Sequence, residues 1–187
     1  MEYKHITTYK GENFTPLNPN IHQIHIEDIA HSLSLMCRAN GHIDYFYSIA
    51  QHSINCVTEA KYRGYSARIQ LACLIHDASE SYLSDITRPV KQFLPDYKIA
   101  EERLQRIIYN RFLNSELSDN ENYLVRAIDD DMLKCELDSL MKKKKIFDVI
   151  PKLFSRPSFE FKNHVDVETE FLRVYYGIMH AGIIQGK

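Results

Sequence analysis

The sequence predicts an all-α domain, one bundle of about six helices. Two observations predict it. Glycine and proline are scarce, six of each in 187 residues, whereas a β-sandwich needs frequent turn residues. Apolar residues also return every three or four positions through most of the chain, rather than alternating. With 44% hydrophobic residues the chain can bury a substantial core. No internal repeat or linker divides it, so residues 1–187 are expected to form a single domain.

Residues 1–24 read as irregular. A short hairpin could form at Thr7-Thr8-Tyr9-Lys10-Gly11-Glu12, with Pro16 and Pro19 keeping the next stretch extended. Ile26, Ile29, Ala30, Leu33 and Met36 then mark a first helix, with Glu27 and Asp28 favouring its start. Asn40-Gly41 is a stop signal that places its end near Arg38–Gly41. Residues 40–46 are a loop. A second helix is expected over about 47–62, closed by Gly64, and a third over about 66–80. The turn-rich stretch Ser84–Lys91 follows. A fourth helix, about 95–114, opens with proline just inside its start. A fifth covers about 120–143 and a last one about 166–183. The last is amphipathic over Val167–Ile184, with Phe171, Leu172, Val174, Tyr175, Ile178 and Met179. Core packing and a homo-oligomer contact both fit it.

Composition excludes several classes. The net charge of −2 supplies no global basic field, so no stable nucleic-acid partner is expected. No apolar run nears the ~20 residues of a membrane span. The start, Met1-Glu2-Tyr3-Lys4-His5, has no signal-peptide core, so a cytoplasmic protein, or one in a host cytoplasm if viral, is expected. Cys37, Cys56, Cys73 and Cys135 form no CxxC pair and fall in apolar helical patterns, as reduced core cysteines do. The run Lys142–Lys145 fits cations at a helix C-terminus; a phosphate or nucleic-acid site is the alternative.

The chemistry concentrates at His76-Asp77, where the apolar run Leu71–Ile75 stops abruptly. His52 lies upstream in a mid-helix strip with Ser48 and Cys56, where burial would be costly without a partner. Asp129 lies downstream, heading Asp129-Asp130-Asp131, of which one or two can turn to a given face; Asp130 and Asp131 are expected to be solvated. Two imidazoles and two carboxylates from three segments can ligate one divalent metal. The set suits Zn, Mn, Co, Fe or Ni, with Mg a poorer match. Such a metal usually turns water into a nucleophile. Glu80, three residues after Asp77 and four after His76, is expected on the same helical face as a base or water-orienting group. Asp85 could reach the same cavity. Arg38, His42 and Lys91 are candidates to hold a phosphate, Arg38 bidentately.

The order His52 … His76-Asp77 … Asp129 resembles the HD superfamily of metal-dependent phosphohydrolases. The stretches Tyr47–Ser53, Leu74–Glu80, Ser84–Lys91 and Asp129-x-x-x-Leu133-x-x-Glu136 resemble bacterial 5′-deoxynucleotidases. They are equally similar to short phage-type HD hydrolases, among them dATP triphosphohydrolases. Ile26–Ser34 and Arg38-x-x-Gly41-His42 match that short group. The resemblance covers about residues 5 to 140. It implies that His52, His76, Asp77 and Asp129 hold the metal, and that Glu80 and Asp85 handle the attacking water or leaving oxygen. It further implies that Arg38 and Lys91 contact phosphate and that Pro89 lines the sugar and base pocket. The implied reaction cleaves the 5′-phosphate ester of a (deoxy)nucleotide, giving nucleoside plus phosphate from a monophosphate or nucleoside plus triphosphate from a triphosphate. The family often places a large aromatic residue after the arginine. Here Ala39 and Asn40 follow, so the pocket is expected to be wider or to be filled by a neighbour such as Phe46. A phosphodiesterase acting on cyclic or short oligonucleotides and a non-catalytic nucleotide-binding module are the other readings.

Overall fold

A computed structural model describes residues 4–142 and 145–185. Among them, six helices of nine or more residues build the domain: α1 (Ile26–Leu35), α2 (Ile49–Tyr62), α3 (Ala67–Ile75), α6 (Pro95–Leu113), α7 (Asp119–Leu140) and α8 (His164–Gln185). Two one-turn helices, α4 (Glu80–Leu83) and α5 (Arg88–Lys91), fill the segment between α3 and α6. This is the all-α bundle that the apolar spacing predicts. The N-terminal hairpin is real but small. Its strands β1 (Ile6–Thr7) and β2 (Asn13–Phe14) pair antiparallel, Ile6 opposite Phe14. Gly11 turns between them at φ 87°. Phe14 is fully buried against Tyr82, which ties the hairpin to the bundle.

α2 is the central helix. Ser48 and Gln51 cap it reciprocally, the Ser48 hydroxyl accepting from Gln51 N and the Gln51 side chain from Ser48 N. α3 packs along it, α7 crosses both, and α8 lies over α1, α2 and α3. On α8, Val167 and Phe171 are fully buried, and Leu172, Val174, Tyr175, Ile178 and Met179 pack half-buried on the same core. Its apolar stripe therefore serves the core of this chain. α7 opens with a second capping box, Ser118 with Glu121. α6 ends at Asn114 in a left-handed cap. α7 stops at Leu140, ahead of the lysine run; Lys143 and Lys144 of that run lie outside the described residues, and Lys145 pairs with Asp148.

Two boundaries differ from expectation, and both shape the site. α1 ends at Leu35, not near Arg38. The following residues extend to bridge Cys37 with Ser48: Arg38 N donates to Tyr47 O and Ile49 N to Met36 O. A tight turn at Arg38–Gly41 then holds Ala39 and Asn40 in left-handed backbone, φ 52° and 51°. That conformation costs an alanine on the order of 1–3 kcal/mol and marks a geometry imposed by its surroundings. The third helix likewise ends at Ile75. Residues 76–79 form a turn, and Glu80 begins α4.

One face of α2 holds down a strap of irregular chain. Gln51, Asn55 and Glu59 recur at i, i+4, i+8 and meet its backbone. The Gln51 amide donates to Glu160 O and the Asn55 amide to Ser158 O. The fully buried Glu59 accepts from Phe154 N, Ser155 N and the Ser155 hydroxyl, the last at 2.6 Å, and pairs with Arg63 at 2.8 Å. Burial alone would raise the Glu59 pKa; these donors more than offset it and hold it below the ordinary carboxylate value. A depressed folded-state pKa stabilises the fold above the unfolded value, and the stabilisation is lost as pH falls through the folded one. Glu59→Gln is therefore expected to cost about 2 kcal/mol at neutral pH, a Tm drop of roughly 4–8 °C. The gap to wild type should close as pH drops below about 4.5. Parallel melting curves with no convergence in acid would contradict this.

Candidate metal centre

Three elements bring the predicted ligands together. His52 projects from the middle of α2, fully buried. His76 and Asp77 occupy the turn after α3, and Asp129 lies midway along α7. His52 Nε2 is 3.2 Å from His76 Nε2, 3.1 Å from Asp129 Oδ1 and 3.9 Å from Asp77 Oδ2. His76 Nε2 is 3.3 Å from Asp77 Oδ2 and 3.7 Å from Asp129 Oδ1. The ligand atoms of His52, Cys56 and His76 also lie within 4.8 Å of one another, a group that could hold a metal ion.

The hydrogen bonds behind the imidazoles fit a cation. The Nδ1–H of His76 donates to the carbonyl of Cys73 at 2.8 Å, because a carbonyl can only accept. His52 Nδ1 lies 2.8 Å from Glu136 Oε1. Burial works against charge on Glu136, but His52, Arg38 and the Tyr47 hydroxyl hold its pKa below the usual value, so it too accepts. With both rings neutral, each would turn an Nε2 lone pair toward the other at 3.2 Å. Two facing lone pairs repel unless positive charge lies between them. Donating the outer N–H to a carboxylate or carbonyl is how ligating histidines are held. A proton can occupy the same position: burial and Arg38 oppose charge on His52, yet Cys56, Glu136 and Asp129 raise its pKa well above the ordinary value. Burial would raise Asp129, but the two imidazoles beside it, able to donate when protonated, hold it well below.

Glu136 anchors a wider polar network. It is 2% exposed and also accepts from the Tyr47 hydroxyl at 2.8 Å. Asn55 donates to that same hydroxyl and to the strap at Ser158. Arg38 reaches Glu136 Oε2 at 3.5 Å and Asp77 Oδ2 at 3.4 Å. Despite burial, these acids keep its guanidinium firmly charged.

The centre opens into a cavity of about 820 Å³. Arg38, Glu80, Asp85, Pro89 and Lys91 line it together with His76, Asp77 and Asp129. His42 does not. It is exposed on the loop, because the left-handed turn at Ala39 and Asn40 redirects the chain, and Ile43 lines the wall instead. Ala39 lines the cavity, and Phe46 is not among its lining residues. Burial first, then Asp77 and Asp85, push the Glu80 pKa well above the carboxylate range, against Arg38 and Lys91. Burial and Asp77 also raise Asp85. Lys91 Nζ sits 2.6 Å from Glu101 and 3.8 Å from Glu80. The other two aspartates of the run are paired rather than free: Arg88 forks between Asp129 Oδ2 and Asp130 at 2.7 Å each, and Arg63 holds Asp131 at 2.9 Å.

Sequence reasoning gave no role to Glu136, Tyr47 or Arg88. A signal for Glu136 was present: it stands seven residues after Asp129, two turns along the same face of α7. Arg88 carried no such periodic signal.

No family model matches the chain. Over 107 residues it is 39% identical to the uncharacterized protein YfdR of Escherichia coli (strain K12), covering 57% of each chain. Over 108 residues it is 40% identical to the uncharacterized protein RCAP_rcc00048 of Rhodobacter capsulatus, covering 54% of this chain and 55% of the relative. The matched region thus spans a little over half the length of the curated relatives. Among the described residues, no helix is long and apolar enough to cross a membrane.

Proposed function

We propose that this protein is a metal-dependent phosphohydrolase of the HD type, acting on the 5′-phosphate ester of a nucleotide, with deoxynucleotides the preferred class. The observation that carries the reading is the convergence of two imidazole Nε2 atoms and two carboxylate oxygens at the wall of a cavity that also holds Arg38 and Lys91. His52, His76, Asp77 and Asp129 would hold one divalent ion. When bound, such an ion polarises a phosphoryl oxygen and eases deprotonation of water.

The remaining work falls to the chain itself. Arg38 is positioned by Asp77 and Glu136 and presents its guanidinium to the cavity, where a phosphate would compete for its donors. Lys91, held by Glu101, adds a second cation. Burial and the neighbouring Asp77 raise the pKa of both Glu80 and Asp85 above the ordinary carboxylate value, which suits them to exchanging protons. Glu80 takes the proton of the attacking water once a partner charge offsets its neighbours, and Asp85 returns one to the leaving 5′-oxygen. The volume accommodates a nucleotide. Attack on a monophosphate releases nucleoside and phosphate; attack on the α-phosphorus of a triphosphate releases nucleoside and triphosphate.

The deciding experiment is product analysis with dNMPs, dNTPs, NMPs, cyclic nucleotides and short oligonucleotides in the presence of Mn, Co, Zn or Mg. Nucleoside plus phosphate or triphosphate supports the proposal. Cleavage of cyclic or oligomeric substrates alone would replace it with a phosphodiesterase, and a metal-loaded protein with no turnover would replace it with a binding module. Within this reading, Arg38→Lys keeps the charge but loses the planar fork. It should raise KM by about tenfold or more with metal content unchanged; an unaltered KM would remove Arg38 from the phosphate site.

A further inference from the structure

The cavity has two unlike ends, with Asp129 of α7 between them. Toward the C-terminus of α7 its walls are apolar: Leu133, Leu137, Leu140 and Met141, with Ile43 from the loop. Toward the N-terminus the lining comes from Gln105, Arg106 and Tyr109 of α6 and from Asn122, Val125 and Arg126 of α7. The amides at this second end are engaged. Gln105 accepts from Ser79 N and donates to Ile75 O, and Asn122 donates to Leu117 O and Ser118 O. The guanidiniums are not. Among the described residues Arg126 makes no ion pair or hydrogen bond, and Arg106 gives only its Nε–H to the backbone carbonyl of Glu102. Asp129 and Asp130 lie one turn from Arg126 on the same helix, yet Arg88 holds both, at 2.7 Å each. Arg126 is thus left with uncommitted donors about 4.5 Å along the helix axis from a predicted metal ligand. Burial raises the Tyr109 pKa most; Asp77 adds to it, while Gln105 and Arg126 oppose it, so this ring lies in the field of both the centre and the arginine.

We propose that Arg106 and Arg126 form an anion subsite beyond the metal centre that takes the β- and γ-phosphates of a nucleoside triphosphate. The inference rests on the phosphohydrolase reading above and selects its triphosphate branch. The apolar end suits base and sugar, which carry no charge to be desolvated there. The α-phosphate lies at the centre, within reach of Arg38. A monophosphate ends at that point and leaves both arginines unused. In a triphosphate the two further phosphates continue into the end where uncommitted guanidiniums line the wall, and a guanidinium matches phosphate oxygens bidentately. The step balances. The oxygen of water bonds to the α-phosphorus and its proton goes to Glu80. The bond from phosphorus to the 5′-oxygen breaks, that oxygen takes a proton from Asp85, and intact triphosphate is released. Arg88 serves the subsite indirectly, since it occupies the two aspartates that would otherwise neutralise Arg126.

The test has two arms on the full-length protein. Calorimetric titration in metal-free buffer compares inorganic triphosphate with inorganic phosphate, and steady-state kinetics with Mn present compares dNTPs with dNMPs. Triphosphate is expected to bind about tenfold or more tighter than phosphate, and to lose that advantage in Arg106→Ala/Arg126→Ala. The ratio of kcat/KM on a dNTP to that on the matching dNMP should fall by about tenfold or more in the same variant. Both side chains are exposed, so the fold should tolerate their removal. Equal binding of the two anions by the wild type, or hydrolysis of dNMPs at least as fast as of dNTPs, would overturn the subsite and leave the phosphohydrolase reading standing. A ratio that the double variant does not move would do the same. No turnover of any nucleotide would overturn both. The wild-type comparisons keep the question decidable even if the variant folds poorly.

Discussion

Asp77→Ala is expected to lose turnover by on the order of 1000-fold, equivalent to about 4 kcal/mol, and to lose bound metal with it. Asp77 Oδ2 stands 3.3 Å from His76 Nε2, 3.9 Å from His52 Nε2 and 3.4 Å from Arg38 Nη1. Truncation removes one of four convergent donors and also releases the guanidinium that would receive phosphate. Both effects fall on the same step, so KM and kcat should both suffer. The fold should persist, since Asp77 sits on a turn at the cavity wall and contributes nothing to the apolar core. Metal content by elemental analysis, hydrolysis of the best nucleotide and a melting curve together check this. A variant with wild-type metal content and undiminished turnover would dismantle the proposed ligand set.

Glu136→Ala should produce the largest loss of stability from a single residue of the site, about 3–5 kcal/mol. The side chain is buried and serves three donors at once: His52 Nδ1 and the Tyr47 hydroxyl at 2.8 Å each, and Arg38 Nη2 at 3.5 Å. Alanine strands all three in a desolvated place, and a buried donor without an acceptor costs roughly 1–3 kcal/mol. Glu136→Gln separates stability from metal binding. It keeps the shape and one acceptor oxygen, so the melting temperature should fall less. On the proposed metal reading it withdraws the negative charge that would make His52 a better ligand, so metal affinity should still drop by about 10–100-fold. Calorimetric metal titration of the glutamine variant is the critical measurement. Unchanged affinity there would mean that Glu136 only fills space.

The helices were legible because their apolar spacing and caps are local. Ser48 with Gln51, Ser118 with Glu121 and proline at the start of α6 act over one turn of chain. The boundaries that failed are those decided by distant partners. Asn40-Gly41 reads as a helix stop, yet α1 stops five residues earlier because Met36 and Arg38 find backbone partners at Ile49 and Tyr47. Glu80 was expected on the helix of His76, and the turn at residues 76–79 moves it to the start of α4. Even so, it lines the cavity, since the turn swings it back beside Lys91.

By itself the sequence determined the all-α class and its six principal helices. It also determined the inventory of chemistry, two imidazoles and two carboxylates from three segments. Residue type and local periodicity carry that information directly. Only the tertiary structure decided that both aspartates come within 4 Å of both imidazoles, that Glu136 orients His52, that Arg88 pairs with Asp129, and that His42 stays outside. Those outcomes depend on how α2, α3 and α7 cross, and a crossing is set by the side-chain volumes packed between helices far apart in the chain.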